Sequence, residues 1–178
     1  MAHFSKEDIL RKVEEENIQF IRLQFTDVFG VFKNVAITSR QLEKALDGEM
    51  MFDGSSIDGY VSIEDSDMYL QPDFDSFLVF PWQEENTKEA RLICDVYKSD
   101  KTAFTGDPRY VLKEALREAE EKGYYLNVGP ECEFFLFPEL KGKTRTLTSI
   151  DGAGYFDMDP LDRGEIARKE MVINLEKM

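Results

Sequence analysis

The sequence is poor in the side chains on which several common kinds of site depend. Its 178 residues include two cysteines, Cys94 and Cys132, and one histidine, His3. With no framework of evenly spaced cysteines, we expect a reducing, cytoplasmic environment. A single histidine beside the N-terminus makes a Ser/His/Asp catalytic set elsewhere in the chain implausible.

Basic residues are also scarce, with 22 Lys and Arg against 36 Asp and Glu and a formal net charge of −14. Nucleic acids and anionic membranes attract clusters of Lys and Arg, so this balance argues against both as partners. No apolar run approaches the roughly 20 residues of a membrane span. The hydrophobic content of 42%, with 14 Phe, is nevertheless enough for a folded core.

Hydrophobic periodicity predicts an α+β fold for the first part of the chain. Ser5 begins a helix with Asp8 as its acidic partner, and alternation over 19–37 predicts a β-hairpin. A short helix over 39–46 and strands over 76–82 and 90–97 follow, while 50–75 has no clear period. The polar stretch 99–106 predicts a boundary between domains 1–103 and 104–178.

The second domain is predicted to begin with a helix opened by Asp107 and Pro108 and closed by Gly123. One or two strands are predicted over 124–138, and then a polar loop over 141–154. A last helix, from Leu161, runs to the end of the sequence, so we expect a truncated domain. The apolar residues predicted to be buried on the two helices are Val111, Leu112, Ala115, Leu116 and Ala119, and Ile166, Met171 and Ile173.

Two carboxylates in the predicted strand are candidates for metal chemistry. Glu131 and Glu133 are two residues apart, so in a strand they face the same side, roughly 7 Å apart at the backbone. Flanking apolar residues suggest burial, and buried carboxylates would need cations such as Mg²⁺ or Mn²⁺. The alternative, which the pattern by itself favours, is that both acids face water at the start of the strand.

Two loops carry further candidates. The sequence Asp53-Gly54-Ser55-Ser56 is typical of a tight turn, and it could also present Asp53 as a base or a cation ligand. Two glycines precede Tyr155 in the second loop and permit close approach of the backbone. On local evidence alone, an ordinary turn is favoured for both loops.

Taken together, six segments carry a resemblance to a known family over Asp8 to Met178. They are IRLQFTDVFG, MFDGSSIDGY, IEDSDMYLQPD, GDPR, GPECEFFLF and GYF, in the family's order and near its spacing. The chain resembles the N-terminal portion of type I bacterial glutamine synthetases. That resemblance implies a β-grasp-like domain over 1–103, followed over 104–178 by the start of a catalytic domain built on an antiparallel sheet.

The resemblance implies a chemistry as well. Members make glutamine from glutamate, ammonium and ATP through γ-glutamyl phosphate, with Mg²⁺ or Mn²⁺ as cofactor. Their subunits form homo-oligomeric rings, and the aspartate and serine of the ammonium site serve a neighbouring subunit. Matched by motif, the roles here are metal binding by Glu131 and Glu133, nucleotide contact at Gly129, and ammonium binding by Asp53, Ser56 and Tyr155.

Some features depart from the family pattern and leave alternatives open. Cys132 stands where the family usually has Pro or another small residue, and the remaining metal ligands and phosphate-facing arginines are absent from this sequence. We therefore expect the isolated chain to be inactive. One alternative is a relative that ligates glutamate to another amine, which Asp53, Ser56 and Tyr155 argue against. Another is a non-catalytic β-grasp module that binds a partner through its acidic loop.

Overall fold

The computed structural model describes residues 3–63, 66–83, 87–137 and 152–178. The chain divides into two compact units, Met1–Leu126 and Asn127–Met178, each of which is described by itself. Their elements are helix α1 (Lys6–Glu15), strands β1 (Phe20–Thr26) and β2 (Phe32–Thr38), a 3₁₀ turn (Ser39–Gln41), helix α2 (Leu42–Leu46), strand β3 (Met50–Asp53), a second 3₁₀ turn (Gly54–Ser56), strands β4 (Asp67–Val79) and β5 (Glu89–Lys98), and helices α3 (Pro108–Glu121) and α4 (Glu165–Glu176).

A five-stranded mixed sheet of order β2-β1-β5-β4-β3 organises the first unit. Strands β1 and β5 are parallel, and the other neighbouring pairs are antiparallel. The predicted hairpin is confirmed, with Phe20 opposite Thr38 and Thr26 opposite Phe32. This arrangement of a mixed sheet with helices confirms the predicted α+β class.

The core lies on one face of this sheet. Ile21, Leu23 and Phe25 alternate along β1 and are at most 3% exposed, and α1 adds Ile9 and Val13. Burying one such side chain is worth roughly 1.5–3 kcal/mol, so this face dominates the stability of the unit. Among the described residues, none of the helices is both long and apolar enough to cross a membrane.

The predicted helix ends are largely confirmed, because short polar side chains cap them. Ser5 and Asp8 form a reciprocal capping box at the start of α1. Asp107 caps α3 and accepts a hydrogen bond from the Arg109 N–H at 3.0 Å. Gly123, at φ +81°, follows the end of that helix.

Helix α3 belongs to the first compact unit, where its first turns are tied to the sheet. The Arg109 guanidinium contacts Asp73 and Asp95, each at 2.5 Å, and Lys113 contacts Asp95 at 2.6 Å. The units consequently divide after Leu126, whereas the boundary predicted at 103/104 remains a prediction about domains.

The stretch 50–75, predicted to be irregular, contains two strands. Strand β3 pairs with β4 from Met50 opposite Leu70 to Asp53 opposite Asp67. Met68 and Leu70 are buried, but the acidic residues and Pro72 obscured the alternation in the sequence. Pro72 is tolerated because the pairing with β3 ends at Leu70.

The strands predicted over 124–138 are not formed within the described residues 124–137, which have no regular structure. A strand needs a neighbour to satisfy its backbone N–H and C=O groups, and the described part of the second unit contains no strand to pair with it. Glu131, Cys132 and Glu133 are all exposed, so the prediction of a doubly buried strand is wrong for this chain.

The predicted burial of the two later helix faces is also wrong. On α3, Val111 is 56% exposed and Leu112 is 52% exposed. On α4, which begins at Glu165 rather than Leu161 and ends at Glu176, Ile166 is 73% exposed. An amphipathic stripe predicts a buried face only where another element packs on it, and in the described residues these stripes remain open.

Asp107 should contribute strongly to the stability of the first unit. Its fully buried carboxylate accepts hydrogen bonds from the N–H groups of Val96, at 3.1 Å, and Arg109. Asp107→Ala would leave the buried Val96 N–H unpaired, so the free energy of unfolding should fall by about 2–3 kcal/mol. Urea unfolding monitored by circular dichroism measures this change, with Asp100→Ala, at an exposed turn, as the control that should change little.

The same residue gives a pH dependence of known sign. Burial raises the pKa of Asp107 above its usual 3.8, against the opposing effect of the N–H bonds from Val96 and Arg109. Folding thus favours the protonated carboxyl. The stability that this protonation adds is fully present below pH 3.8 and is lost as the pH rises through the pKa of the folded state. If Asp107→Ala and Asp100→Ala lowered the free energy of unfolding equally, the role of Asp107 as a buried hydrogen-bond acceptor would be wrong.

Candidate functional site

Strand β3 delivers Asp53 to an exposed turn at the edge of the sheet. Asp53 is the last residue of the strand, opposite Asp67, and the next N–H, of Gly54, donates to the Ser66 carbonyl at 2.7 Å. Gly54 is buried, and a Cβ there would lie 2.6 Å from the Met68 side chain. Any side chain at this position would require the Met68 side chain to shift, so the sequence Asp-Gly favours a turn that begins here.

The Asp53 carboxylate is held by the two serines that follow it. One oxygen accepts from the Ser55 N–H at 2.9 Å and from the Ser55 hydroxyl at 2.6 Å. The other accepts from the Ser56 hydroxyl at 3.0 Å. Hydrogen bonds from Ser55, and then from Ser56, lower the pKa of Asp53. The turn therefore presents an exposed, stably ionised carboxylate that is suited to holding a small cation.

Ser55 makes two hydrogen bonds to Asp53 and Ser56 makes one, yet the family motif pointed only to Ser56. The missed signal is the helix-capping pattern, in which an aspartate accepts hydrogen bonds from the backbone two or three residues later. Applied to Asp53, that rule points to Ser55.

The predicted pair of metal ligands lies in the second unit. Glu131 and Glu133 are exposed, and Glu133 lines an open groove with Ala153 and Arg168. Carboxylate oxygens are the donors that Mg²⁺ and Mn²⁺ prefer. Among the described residues, however, no three His, Cys, Asp or Glu side chains cluster closely enough to hold a metal ion. The donors are of the right kind, but they do not complete a site.

Gly129 and Tyr155 are also open to solvent. A Cβ at Gly129 would meet no atom within 4 Å, so packing within the described chain does not require glycine there. Tyr155 is 91% exposed, and its ring centroid lies 4.2 Å from that of Phe156. Of the polar loop predicted over 141–154, residues 141–151 lie outside the described residues.

The structure thus brings Asp53 and Ser56 together in the first unit. Gly129, Glu131, Glu133 and Tyr155 all belong to the second unit, where they lie on exposed backbone without regular structure. The first unit defines a class of protein: an α+β chain whose β-grasp-like sheet carries an exposed anionic turn at its edge.

Comparison with known proteins identifies the family. The family model "Glutamine synthetase, beta-Grasp domain" matches residues 17–99, and "Glutamine synthetase, catalytic domain" matches 105–178. Glutamine synthetase of Clostridium saccharobutylicum is 61% identical over the whole chain, and that of Staphylococcus aureus strain N315 is 55% identical over 98% of it. The chain belongs to the glutamine synthetase family.

The relatives are longer than this chain, which spans 40% of the length of each of these two proteins. The solved structure "CryoEM Plasmodium falciparum glutamine synthetase" matches all of the chain and 41% of its own, with a TM-score of 0.71 and 15% identity, which supports the fold alone. The structure "GmaS/ADP complex-Conformation 1" matches 65% of this chain and 26% of its own, with a TM-score of 0.58 and 27% identity.

The serine contacts give a direct test of the Asp53 turn. Ser55→Ala should raise the pKa of Asp53 toward its usual 3.8, because the shortest hydrogen bond to the carboxylate is removed. Carboxyl ¹³C NMR titration measures the shift. Thr102→Ala is the matched control: it removes the same kind of bond from Asp100, whose pKa should rise while that of Asp53 stays unchanged. An unaltered Asp53 pKa in Ser55→Ala would contradict this account of the turn.

Proposed function

We propose that this chain supplies the N-terminal domain and the first part of the catalytic domain of an ATP-dependent glutamate–ammonia ligase. The observation that carries the proposal is the 61% identity to a glutamine synthetase over the entire chain, together with the two family models in order along it. The reaction proposed is formation of glutamine from glutamate, ammonium and ATP in the cytoplasm.

Asp53 is proposed to hold ammonium. Its ionised, exposed carboxylate attracts a small cation, and the hydroxyls of Ser55 and Ser56 fix its orientation before a ligand arrives. A lowered pKa keeps the group charged, so its part is to bind and orient the cation. Tyr155 is proposed to contact the same ligand, and its nearly complete exposure leaves its hydroxyl accessible.

Glu131 and Glu133 are proposed as ligands for two different divalent ions, and Gly129 as a point of close approach to ATP. Bound ions of this kind neutralise charge on a transferring phosphoryl group. The open space around Gly129 leaves room for such a ligand. The described residues do not complete a metal site, and the longer relatives have further sequence from which additional ligands can come.

A homo-oligomeric ring is part of the proposal. Asp53 and Ser56 lie on the outer edge of the sheet with their side chains exposed, where a second copy can reach them. In a head-to-tail ring, each active site would combine the Asp53 turn of one subunit with the metal site of its neighbour.

Activity of the chain alone tests how much of the reaction it supports. We expect no glutamine formation and no metal-dependent γ-glutamyl transfer from the purified chain, because it spans only 40% of the length of its relatives and phosphoryl transfer needs electrostatic support from many groups. The positive control is a chimaera in which this chain replaces the matching 40% of the Clostridium saccharobutylicum glutamine synthetase, and this chimaera should be active. Activity of the chain by itself would overturn the predicted inactivity, and a folded but inactive chimaera would count against the proposed function.

A further inference from the structure

The segment that follows the Asp53 turn is anchored at its far end by a buried tyrosine. Tyr60 is only 8% exposed, and its ring packs against Phe25 of β1, with centroids 6.3 Å apart, and against Phe104, at 5.2 Å. Its hydroxyl donates a hydrogen bond to the Thr26 carbonyl at 2.5 Å. This bond joins the segment to the end of strand β1.

Between Asp53 and Tyr60 the chain forms two successive turns. The Ile57 N–H donates to the Gly54 carbonyl, and the Tyr60 N–H donates to the Ile57 carbonyl, both at 3.1 Å. The two turns share Ile57, so a shift of Tyr60 would also move the backbone of the first turn, which contains Ser55 and Ser56. The exposed residues of the segment therefore lie between two fixed ends, the buried Gly54 and the buried Tyr60.

A second contact with the hairpin supports the same anchor. Gly59 has φ +80°, and a Cβ at this position would lie 2.7 Å from a methyl group of Val28. The backbone thus passes close to the tip of the β1–β2 hairpin immediately before Tyr60 enters the core. A side chain at 59 would require a shift of the segment or of Val28, and a residue other than glycine would be strained at this φ.

We infer that Tyr60 is a positioning residue for the ammonium-binding turn, acting through its hydrogen bond to the Thr26 carbonyl and without touching the substrate. The inference rests on the proposed function of Asp53. Its structural half, that the Tyr60 bond holds the turn in place, concerns this chain alone and can be measured without any activity.

Amide hydrogen exchange of the chain tests the structural half. In Tyr60→Phe, which keeps the ring, the N–H groups of Ser55 and Ile57 should exchange about 5–10 times faster, because the lost bond lowers the cost of local opening. Gly59→Ala should also speed the exchange of these two N–H groups, because it disturbs the contact with Val28 beside Tyr60. Tyr110→Phe, at a half-buried tyrosine of α3, should leave these two amides unchanged. Unaltered exchange in both loop variants overturns the inference.

Kinetics of the chimaera test the functional half. In the chimaera, Tyr60→Phe should raise the KM for ammonium about fivefold while the KM for ATP changes less than about twofold, since only the turn is loosened. Asp53→Asn in the same chimaera separates the two claims. If Asp53→Asn impairs ammonium use and Tyr60→Phe does not, the positioning role is wrong. If Asp53→Asn leaves ammonium use intact, the proposed function of the turn is wrong whatever Tyr60 does.

Discussion

Chimaeric subunits carrying either Asp53→Ala or Glu133→Ala should each retain no more than about 1% of the glutamine synthetase activity of the unaltered chimaera. Loss of one preorganised charged group at a reacting centre typically costs about 10²–10³ in rate. Asp53 is the exposed carboxylate held by Ser55 and Ser56, and Glu133 is one of the two proposed metal ligands. The measurement is glutamine formation by purified protein at saturating ATP and glutamate.

Mixing the two inactive subunits should restore part of the activity. In a head-to-tail ring, a competent site needs the Asp53 turn from a Glu133→Ala subunit and the metal site from an Asp53→Ala subunit. Random mixing of equal amounts places that pair at about a quarter of the interfaces. Activity should therefore recover to about a quarter of that of the unaltered chimaera. A control ring whose subunits all carry both substitutions has no intact pair and should stay inactive.

The two outcomes separate a shared site from a site within one subunit. Recovery confined to mixed rings would show that Asp53 serves a site in another chain. Absence of recovery, in rings shown by mass spectrometry to contain both variants, would mean that Asp53 works within its own subunit or is only a turn residue.

Metal titrations should distinguish Glu131 from Glu133. If each carboxylate serves a different ion, Glu131→Ala and Glu133→Ala should weaken different phases of Mn²⁺ binding to the chimaera, each by at least about 10–100-fold. Glu118→Ala, at an exposed glutamate of α3, is the matched control for loss of one negative charge and should leave both phases unchanged. Isothermal titration calorimetry resolves the phases.

Two other results of that titration would contradict the proposal. If both substitutions weakened the same phase, the carboxylates would share one ion. If neither changed binding, the reading of Glu131 and Glu133 as water-facing acids, which the local pattern favours, would be correct.

The first unit could be predicted well because its signals are local. Helix α1 is set by the capping box of Ser5 and Asp8, and the hairpin is set by strict alternation along β1. Strand β3 and the first half of β4 were missed because Pro72 and the acidic residues around it masked a short alternation. Their pairing depends on strands that are distant in sequence, which local pattern does not show.

For the candidate site as well, some features follow from the sequence and others depend on the tertiary structure. The sequence by itself determined the family, through the order of its motifs, and the composition of the turn at Asp53. The contact of Ser55 with Asp53 is local, and the helix-capping rule could have predicted it from the sequence. Tertiary structure alone decided that Tyr60 fastens the turn to the end of β1.

Tertiary structure also decided that Glu131 and Glu133 lie exposed in this chain. Residue type is enough to mark a carboxylate as a possible ligand, whereas its burial and partners depend on which other segments pack around it. In the described second unit no strand pairs with residues 124–137, so the apolar pattern of that segment does not become a buried strand.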